Sequence, residues 1–485
     1  MKPCSLAGKV VWAAGVLAFW VSTMSVLPRA GQAQAPLPEA LAGAVVRQKF
    51  PLDSVSVFVQ AVDAARPLVA WRTAVPRNPA SVMKLVTVAA ALDRLGPDYQ
   101  WPTEVYVEKT PVAGGLSGHL YIKGYGDPFM TPEFFWRLVF RVQNMGLNRI
   151  SGDVVVDDSY FAVPERDRGA FDGRPLRPYN AAASAVLVNF QAFEFHFVPT
   201  AQGKVRIRTY PESPLLDIKN QVAVVDARCQ RWQDRLRLEV KPGRRSVQVM
   251  IAGQYPHACG HRTMYRVVSD PFAFFAGLFQ DLWSERGGSL AGQVRRGTVP
   301  EQAQLFYRGL SLPLADIVRR INKFSNNVMA RQLFLTLAAQ LKGAPGTPAK
   351  GIAAVTSWLG GQGISTAGLV VDNGAGLSRR TRISAEAMGQ LLLHSYHQPY
   401  MPEFVSSLAI MGVDGTLADR LEHAELVGRV HAKTGLLNEV RALAGYVLST
   451  RGRRYVVVLF INHPEAHSLR GEQLQNDVLA WVYRH

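Results

Sequence analysis

Cysteine is scarce in this 485-residue sequence, and neither a Gly-x-y repeat nor a long apolar run beyond the N-terminal segment is present. Three cysteines are too few for a disulfide-dense small scaffold, and the missing repeat excludes a collagen-like chain. Charged residues amount to 19% and hydrophobic residues to 48%, which excludes a disordered chain. At about 150 residues per domain, the length predicts two or three domains with a buried core.

Acidic residues are also few: 37 Asp and Glu face 54 Lys and Arg, which gives a net charge of +17. A charge of this size favours an anionic partner. Nucleic acid, anionic lipid and an acidic polymer are all compatible with the composition alone.

The N-terminal segment has the order of a secretory signal. A basic start precedes an apolar run over residues 10–27, and small residues follow, among them Ala33 and Ala35. This predicts a signal peptide over residues 1–33, with cleavage after Ala33 favoured because a proline follows Ala35. The alternative is an uncleaved anchor, since the run is only just long enough to span a membrane. Export predicts a periplasmic protein without a permanent membrane anchor and makes nucleic acid an unsuitable partner.

Two cysteines, Cys229 and Cys259, remain after removal of the signal peptide. An even pair in an exported protein predicts one disulfide. Such a bridge would close a loop of about 30 residues and stabilise the fold by ~3–4 kcal/mol. Two free buried thiols are the alternative.

The distribution of strand and helix patterns predicts one domain interrupted by another. The chain begins with a strand pattern and a helix over residues 80–95; short strands with Gly and Pro turns follow, and helical patterns then return. The sequence therefore predicts an α/β chain. Residues 34–97 and 265–485 are expected to form one domain, split by a β-rich insert of residues 98–264.

The first candidate motif is Ser81-Val82-Met83-Lys84, near the start of the predicted helix. Residues three apart on a helix share a face, so the Lys84 amine can reach the Ser81 hydroxyl. A serine becomes a nucleophile when a neighbouring base takes its proton. A lysine can be that base if burial and nearby positive charge lower its pKa. A helix cap followed by a solvated lysine is the alternative.

The second candidate motif is Ser325-Asn326-Asn327. From a loop, Ser325 can relay a proton between Lys84 and a leaving amine, and Asn327 can bind a peptide carbonyl and contact Lys84. The same residues would also serve as an ordinary helix cap.

The third candidate motif is Lys433-Thr434-Gly435. Lys433 and Thr434 can hold a carboxylate, and Gly435 leaves space where a substrate backbone must come close. A surface turn is the alternative.

Together and in this order, the three motifs resemble the set shared by penicillin-binding proteins and class A β-lactamases. The stretch between Ser81 and Ser325 is far too long for a β-lactamase. It is similar to the large insert of the class C low-molecular-mass penicillin-binding proteins, the D-alanyl-D-alanine carboxypeptidase/endopeptidases of peptidase family S13. Other segments that resemble this family are residues 124–128, 152–159, 372–379 and 412–417.

This resemblance implies a serine DD-peptidase domain with an antiparallel sheet flanked by helices, split by the β-rich insert. It implies hydrolysis of D-Ala-D-Ala ends or D-alanyl crosslinks of peptidoglycan stem peptides through an acyl-enzyme, inhibition by β-lactams, and no metal or other cofactor. Ser81, Lys84 and Ser325 would be catalytic. The residues that would bind the substrate are Asn327, Lys433, Thr434, Gly435 and Leu436, the last through its backbone amide.

Members of the family often read the charged third residue of the stem peptide with one basic and one acidic group. Arg379 matches a family motif and is the candidate for the carboxylate of that residue. Asp172, which precedes Tyr179-Asn180, is the candidate for its amine. The alternative for both is a surface salt bridge or no role at all.

Three positions depart from the family pattern. Asn326 stands where Asp is usual, and Ala375 stands where Ser is common, which leaves the polar contacts of its loop open. Leu436 stands where Thr or Ser is usual, so a hydroxyl near the substrate carboxylate is missing. The last departure keeps a second function open, that of a catalytically weakened peptidoglycan-binding or β-lactam-sensing protein.

Overall fold

A computed structural model describes residues 35–200, 202–243 and 246–485. The predicted signal peptide and its cleavage after Ala33 lie outside these residues. Within them, no helix combines the length and the apolar character needed to cross a membrane.

The described residues form ten α-helices and twenty-two strands. The α-helices are α1 (Glu39–Arg47), α2 (Lys84–Leu95), α3 (Pro132–Asn144), α4 (Pro271–Glu285), α5 (Leu314–Lys323), α6 (Asn327–Lys342), α7 (Pro348–Gly361), α8 (Ala385–Tyr396), α9 (Met401–Ser406) and α10 (Leu469–Tyr483). The strands are β1 (Val55–Ala61), β2 (Val69–Trp71), β3 (Pro76–Arg77), β4 (Pro102–Val107), β5 (Gly115–Leu116), β6 (Leu120–Gly124), β7 (Arg149–Ile150), β8 (Val154–Asp157), β9 (Phe193–Pro199), β10 (Val205–Tyr210), β11 (Leu216–Val225), β12 (Leu236–Pro242), β13 (Val247–Pro256), β14 (Arg262–Arg266), β15 (Ser289–Leu290), β16 (Val294–Arg296), β17 (Gln304–Leu310), β18 (Ile383–Ser384), β19 (Ala409–Ile410), β20 (Val430–Leu437), β21 (Val440–Leu448) and β22 (Arg454–Asn462).

The third motif lies in a six-stranded antiparallel sheet with the order β19-β20-β21-β22-β1-β2. Strand β22 is buried on both faces, because successive side chains of a strand point to opposite sides and helices cover both. Val456, Val458 and Phe460 pack in one apolar cluster with α2, α5, α6 and α8. The alternate residues Val457 and Leu459 pack with α1 and α10. The expected antiparallel sheet flanked by helices is thereby confirmed.

The β-rich insert has an apolar core of its own. Its largest sheet has the order β16-β8-β6-β4-β17, and three smaller sheets have the orders β10-β9-β14, β11-β13-β12 and β15-β7-β5. Helices α3 and α4 contribute Phe135, Phe275 and Trp283 to this core.

The insert ends later in the chain than the sequence predicts. Strand β16 pairs with β8, and strand β17 pairs with β4, so the insert continues to Leu310 and does not end at residue 264. The helical pattern that begins at Pro271 is misleading, because α4 packs into the core of the insert and not against the main sheet.

The first motif lies in a tight turn and not in the first turn of an α-helix. Ala80–Met83 form a 3₁₀-helix, and α2 begins at Lys84. Ala80 has a φ of +46°, and its amide donates to the Asn78 side chain (2.9 Å). Residues three apart in a 3₁₀-helix eclipse each other, which places Ser81 directly in line with Lys84.

Strand β20 packs on this turn because residue 435 is a glycine. A Cβ on Gly435 would lie 2.5 Å from the Pro79 carbonyl oxygen and 3.1 Å from the Ser81 amide nitrogen. The space that the sequence suggests for a substrate backbone is therefore taken by the protein's own turn. Strand β19 pairs only with His431 and Ala432, so the rest of β20 has an open edge within the described part of the chain.

Cys229 and Cys259 are joined by a disulfide within the insert. Cys229 follows β11, and Cys259 follows β13, which pairs in parallel with β11. The bridge thus ties the ends of two neighbouring strands, in a cluster that includes the packed rings of Phe197, Trp232 and Tyr255.

We expect a non-reducing protease digest to release one linked pair of peptides that contain Cys229 and Cys259. Reduction should lower the free energy of unfolding by about 2–4 kcal/mol, because the unfolded chain gains freedom when the loop opens. Mass spectrometry before and after reduction checks the linkage, and thermal unfolding checks the stability. Alkylation of both thiols in the unreduced protein would contradict the pairing.

Gly435→Ala should lower the free energy of unfolding by about 1–3 kcal/mol, as overpacking usually does, because the new methyl group meets the backbone of the turn. Gly360→Ala is the matched control. Gly360 lies in α7 with open space around it, so this change should leave the stability unchanged or slightly higher. Denaturant titration measures both variants; equal effects would show that β20 can move away from the turn freely.

Candidate active site

The Lys84 amine lies at the centre of the site. The side chain is fully buried, and its Nζ lies 3.0 Å from Ser81 Oγ and 2.6 Å from Asn327 Oδ1. The Ala375 carbonyl oxygen is also 2.6 Å away. The fold therefore brings two predicted site residues, Ser81 and Asn327, to one nitrogen although they are far apart in the sequence.

The surroundings of Lys84 favour its neutral form. Burial is the main cause, and the charges of Lys433 and Arg331 add to it; together they hold the pKa of Lys84 well below its usual range. A neutral amine beside a hydroxyl can accept its proton, as the base next to a serine nucleophile must. Both conditions that the sequence requires of a lysine base, burial and nearby positive charge, are met.

Within the second motif, Ser325 and Asn327 face the site and Asn326 does not. Ser325 has a φ of +56°, which is uncommon for a residue other than glycine. Its Oγ accepts from Lys433 Nζ (2.8 Å), and among the described residues it makes no hydrogen bond to Lys84. The Asn326 side chain caps α6 by accepting from the amides of its second and third residues (3.0 Å each). Asn and Asp cap helices about equally well, so this departure preserves the local structure.

The third motif contributes the buried side chain of Lys433. Thr434 and Leu436 lie on the opposite face of β20, because successive side chains of a strand alternate. Lys433 is fully buried, and burial lowers its pKa to about 7. Thr434 Oγ1 donates to Thr416 Oγ1 (2.7 Å), and the Leu436 side chain is 56% exposed. Thr416 is not among the predicted site residues; the resemblance of residues 412–417 to the family was the available signal for it.

The loop at Ala375 presents a main-chain oxygen to Lys84. Asn373 shapes this loop, since its Oδ1 accepts from the amides of Ala375 (3.0 Å) and Gly376 (3.2 Å). Gly376 has a φ of +75°, and a Cβ there would overlap the Ala80 carbonyl. Because the contact with Lys84 is made by the backbone, an alanine in place of the family's serine does not remove it.

An ion pair between Lys323 and Asp414 supports the second motif, and the sequence reasoning missed it. Lys323 is buried; its Nζ lies 2.5 Å from Asp414 Oδ2 and donates to the Leu408 carbonyl (2.8 Å). Lys323 precedes Ser325 by two positions, and Asp414 precedes Thr416 by two. The pair therefore holds two segments of the site together.

Arg379 lies close to Phe171, the residue that precedes Asp172. Its Nη1 donates to the main-chain carbonyl that follows β20 (3.1 Å), and its guanidinium carbon lies 4.9 Å from the centroid of the Phe171 ring. The Asp172 carboxylate accepts from the Tyr179 hydroxyl (2.7 Å) and from Asn180 Nδ2 (2.9 Å). The two candidates for the third residue of the substrate thus lie on neighbouring segments, and within the described residues no ion pair joins them.

Comparison with known proteins shows the family of this chain. The model of the D-Ala-D-Ala carboxypeptidase 3 (S13) family matches residues 37–482. A D-alanyl-D-alanine carboxypeptidase from Actinomadura sp. is 32% identical over 395 residues, which cover 77% of this chain and 71% of the relative. The crystal structure of penicillin-binding protein 4 from Haemophilus influenzae is similar at a TM-score of 0.78 and 25% identity, covering 92% of this chain and 99% of the other.

A further crystal structure of the Haemophilus protein, in complex with a β-lactam, matches at a TM-score of 0.73 and 25% identity, covering 89% of this chain and 96% of the other. The family match extends over nearly all of the described residues, and it includes all three motifs that meet around Lys84. The chain therefore belongs to the S13 family of D-Ala-D-Ala carboxypeptidases and is a serine-type DD-carboxypeptidase.

Proposed function

We propose that this DD-carboxypeptidase works through an acyl-enzyme on Ser81 and cleaves both D-Ala-D-Ala ends and D-alanyl crosslinks of peptidoglycan stem peptides. The contacts around Lys84 carry the proposal. The oxygens of Asn327 and Ala375 can only accept, so they take the two N–H bonds of a neutral amine. The lone pair of that amine is then directed at the Ser81 hydroxyl.

In acylation, Ser81 Oγ attacks the carbonyl carbon of the penultimate D-alanine while its proton moves to Lys84 Nζ. The backbone amides of Ser81 and Leu436 hold the oxyanion, and one such donor is typically worth about 2.7–4 kcal/mol. The close approach of β20 to the Ser81 amide, which Gly435 permits, supports this pairing of donors.

The proton then passes to the leaving amine through Ser325, whose hydroxyl is oriented by Lys433 (2.8 Å). The C–N bond breaks, and either D-alanine or the neighbouring stem peptide leaves. Water, with Lys84 again as the base, hydrolyses the ester and frees Ser81.

We propose that Lys433 and Thr434 bind the substrate carboxylate at the open edge of β20. The Thr416 hydroxyl, 2.7 Å from Thr434 Oγ1, adds a second hydroxyl beside Thr434. β-Lactams mimic the D-Ala-D-Ala end, and the Haemophilus relative was solved with a β-lactam. We infer that β-lactams acylate Ser81 in this chain.

We propose that the reaction takes place in the periplasm, because the N-terminal segment predicts export and the peptidoglycan substrate lies there. The net charge of +17 suits an anionic wall polymer. The alternative, a catalytically weakened binding or sensing protein, rests on Leu436 alone. The complete set of contacts around Lys84 favours the active enzyme.

We further propose that Arg379 binds the carboxylate and Asp172 the amine of a charged third residue in the stem peptide. Two observations support this pocket. Arg379 packs on Phe171, which precedes Asp172, and the Arg379 side chain donates to the Asn438 carbonyl, directly after β20. Such a pocket is selective because Asp172 is half-buried and a ligand without an amine leaves its charge unpaired, while the exposed Arg379 adds attraction for a carboxylate.

Ser81→Ala should abolish covalent labelling by a fluorescent penicillin, because no nucleophile remains beside Lys84. Lys84→Met should slow labelling by about 10²–10⁴-fold, the usual contribution of a general base. The labelling rate is read from gel fluorescence against time, and thermal unfolding shows whether each variant is folded. Wild-type labelling of the Ser81→Ala protein would show that a different residue is acylated.

Incubation of the wild-type protein with purified crosslinked muropeptides tests whether the enzyme cleaves the D-alanyl crosslinks. Separation of the crosslinked dimers into monomers by the wild type, and not by Ser81→Ala, is the expected result. Release of D-alanine with all crosslinks intact would restrict the activity to that of a carboxypeptidase.

Arg379→Ala should lower kcat/KM more for substrates whose charged third residue is a diaminopimelate with a free end than for a minimal D-Ala-D-Ala peptide. A loss of roughly tenfold in kcat/KM is expected for the charged substrate, as for one charged hydrogen bond. Arg380→Ala is the matched control, since Arg380 carries the same charge but pairs with Asp372 (2.9 Å). Equal losses of Arg379→Ala on both substrates would assign Arg379 a structural role.

A further inference from the structure

Helix α6 connects the active site to the insert. Asn327, in its first turn, contacts the catalytic lysine, and Arg331, one turn later on the same face, binds two main-chain carbonyls of the insert. Arg331 Nη1 lies 2.6 Å from the Ala181 oxygen, and Nη2 lies 2.6 Å from the Tyr179 oxygen. The guanidinium therefore holds the backbone on both sides of Asn180.

The segment held by Arg331 orients the carboxylate of Asp172. Asn180 is buried, and its Nδ2 donates to Asp172 Oδ1 (2.9 Å) and to the Arg174 carbonyl (3.0 Å). The Tyr179 hydroxyl donates to the other carboxylate oxygen of Asp172 (2.7 Å). Both side chains that hold Asp172 thus belong to the segment that Arg331 binds.

We propose that Arg331 is a positioning residue for substrate selection: by holding residues 179–181 against α6, it fixes the Asp172 carboxylate relative to the catalytic groups. This inference rests on the proposed function, in which Asp172 binds the amine of the substrate's third residue. Arg331 acts through Tyr179 and Asn180 and not by contact with the substrate.

The chemistry of arginine suits this role. Its planar fork presents several N–H donors at fixed angles, whereas a lysine ammonium is a point charge on a flexible stem. Burial lowers the pKa of Arg331 to about 10, so the group remains charged near neutral pH. Hydrogen bonds from a charged donor are roughly twice as strong as neutral ones, which favours a well-defined position for residues 179–181.

Gln332, the next residue of α6, provides a matched control. It is buried, and it also binds the insert by two hydrogen bonds, accepting from the Ser184 amide (3.0 Å) and donating to the Ser184 carbonyl (2.7 Å). In the described structure it makes no hydrogen bond to residues 172–181. Gln332→Leu therefore breaks as many hydrogen bonds to the insert as Arg331→Met does, without releasing Asp172.

The experiment uses two peptides ending in D-Ala-D-Ala that differ only in whether the amine of the third residue is free or acetylated. The ratio of their kcat/KM values measures the selectivity. Arg331→Met should reduce this ratio roughly tenfold, since residues of one hydrogen-bond network couple by amounts of this size. Gln332→Leu should leave the ratio unchanged, even if it lowers Tm. Arg331→Lys should give a ratio between those of Arg331→Met and the wild type. If Arg331→Met does not fold, a lowered ratio in Arg331→Lys is the test.

Asp172→Asn shows whether Arg331 acts through Asp172. This change should itself remove the selectivity, and adding Arg331→Lys to it should cause no further loss. Four results would each overturn the role of Arg331. Two concern single variants of α6: an unchanged ratio in the folded Arg331 variants, or an equal loss in Gln332→Leu. The other two are a selectivity that survives Asp172→Asn and an additive loss in the double variant. The rate of acylation by benzylpenicillin, which has no third-residue amine, monitors the acyl-enzyme proposal separately: a wild-type protein that is not acylated would overturn that proposal itself.

Discussion

The burial of the Lys84 amine, with no acidic partner among the described residues, is the constraint on which the rest of the structure depends. A buried, unpaired ammonium is strongly disfavoured, so the site accepts the neutral amine, whose N–H bonds then need acceptors. Asn327 on α6 and the Ala375 carbonyl provide them, and Ser81 takes the remaining position. The turn before α2, the start of α6 and the loop that follows α7 must therefore meet at one nitrogen.

Two buried lysines of the site, Lys84 and Lys433, have no ion-pair partner among the described residues. Lys433 is buried next to Ser325, a residue with left-handed backbone, and its charge disfavours a charge on Lys84. Directly beside the site, by contrast, Lys323 is paired with Asp414. Perturbed pKa values and strained backbone are typical of functional sites, and here both are supported by ordinary ion pairs and helix caps in the surrounding segments.

The parts of the structure that could be predicted from the sequence depend on residues close together in the chain. The motif at Ser81 and the helix cap at Asn326 are of this kind. The sequence predicts an end of the insert at residue 264, short of Leu310, since the apolar pattern of α4 does not reveal which core the helix packs into. Gly435 was recognised as a site of close approach, but the backbone that approaches it is that of Pro79. Arg331 belongs to no motif, and only its two carbonyl partners in the insert reveal its place.

The sequence alone was enough to propose Ser81 as the nucleophile and Lys84 as its base, because the two are three residues apart and local backbone geometry brings them together. Whether that lysine can act as a base was decided by the tertiary structure. The two acceptors of its N–H bonds lie 243 and 291 residues further along the chain, at Asn327 and Ala375. A pKa depends on burial and on charges from separate segments, and here these come together only when the sheet, α6 and the loop that follows α7 have packed around Lys84.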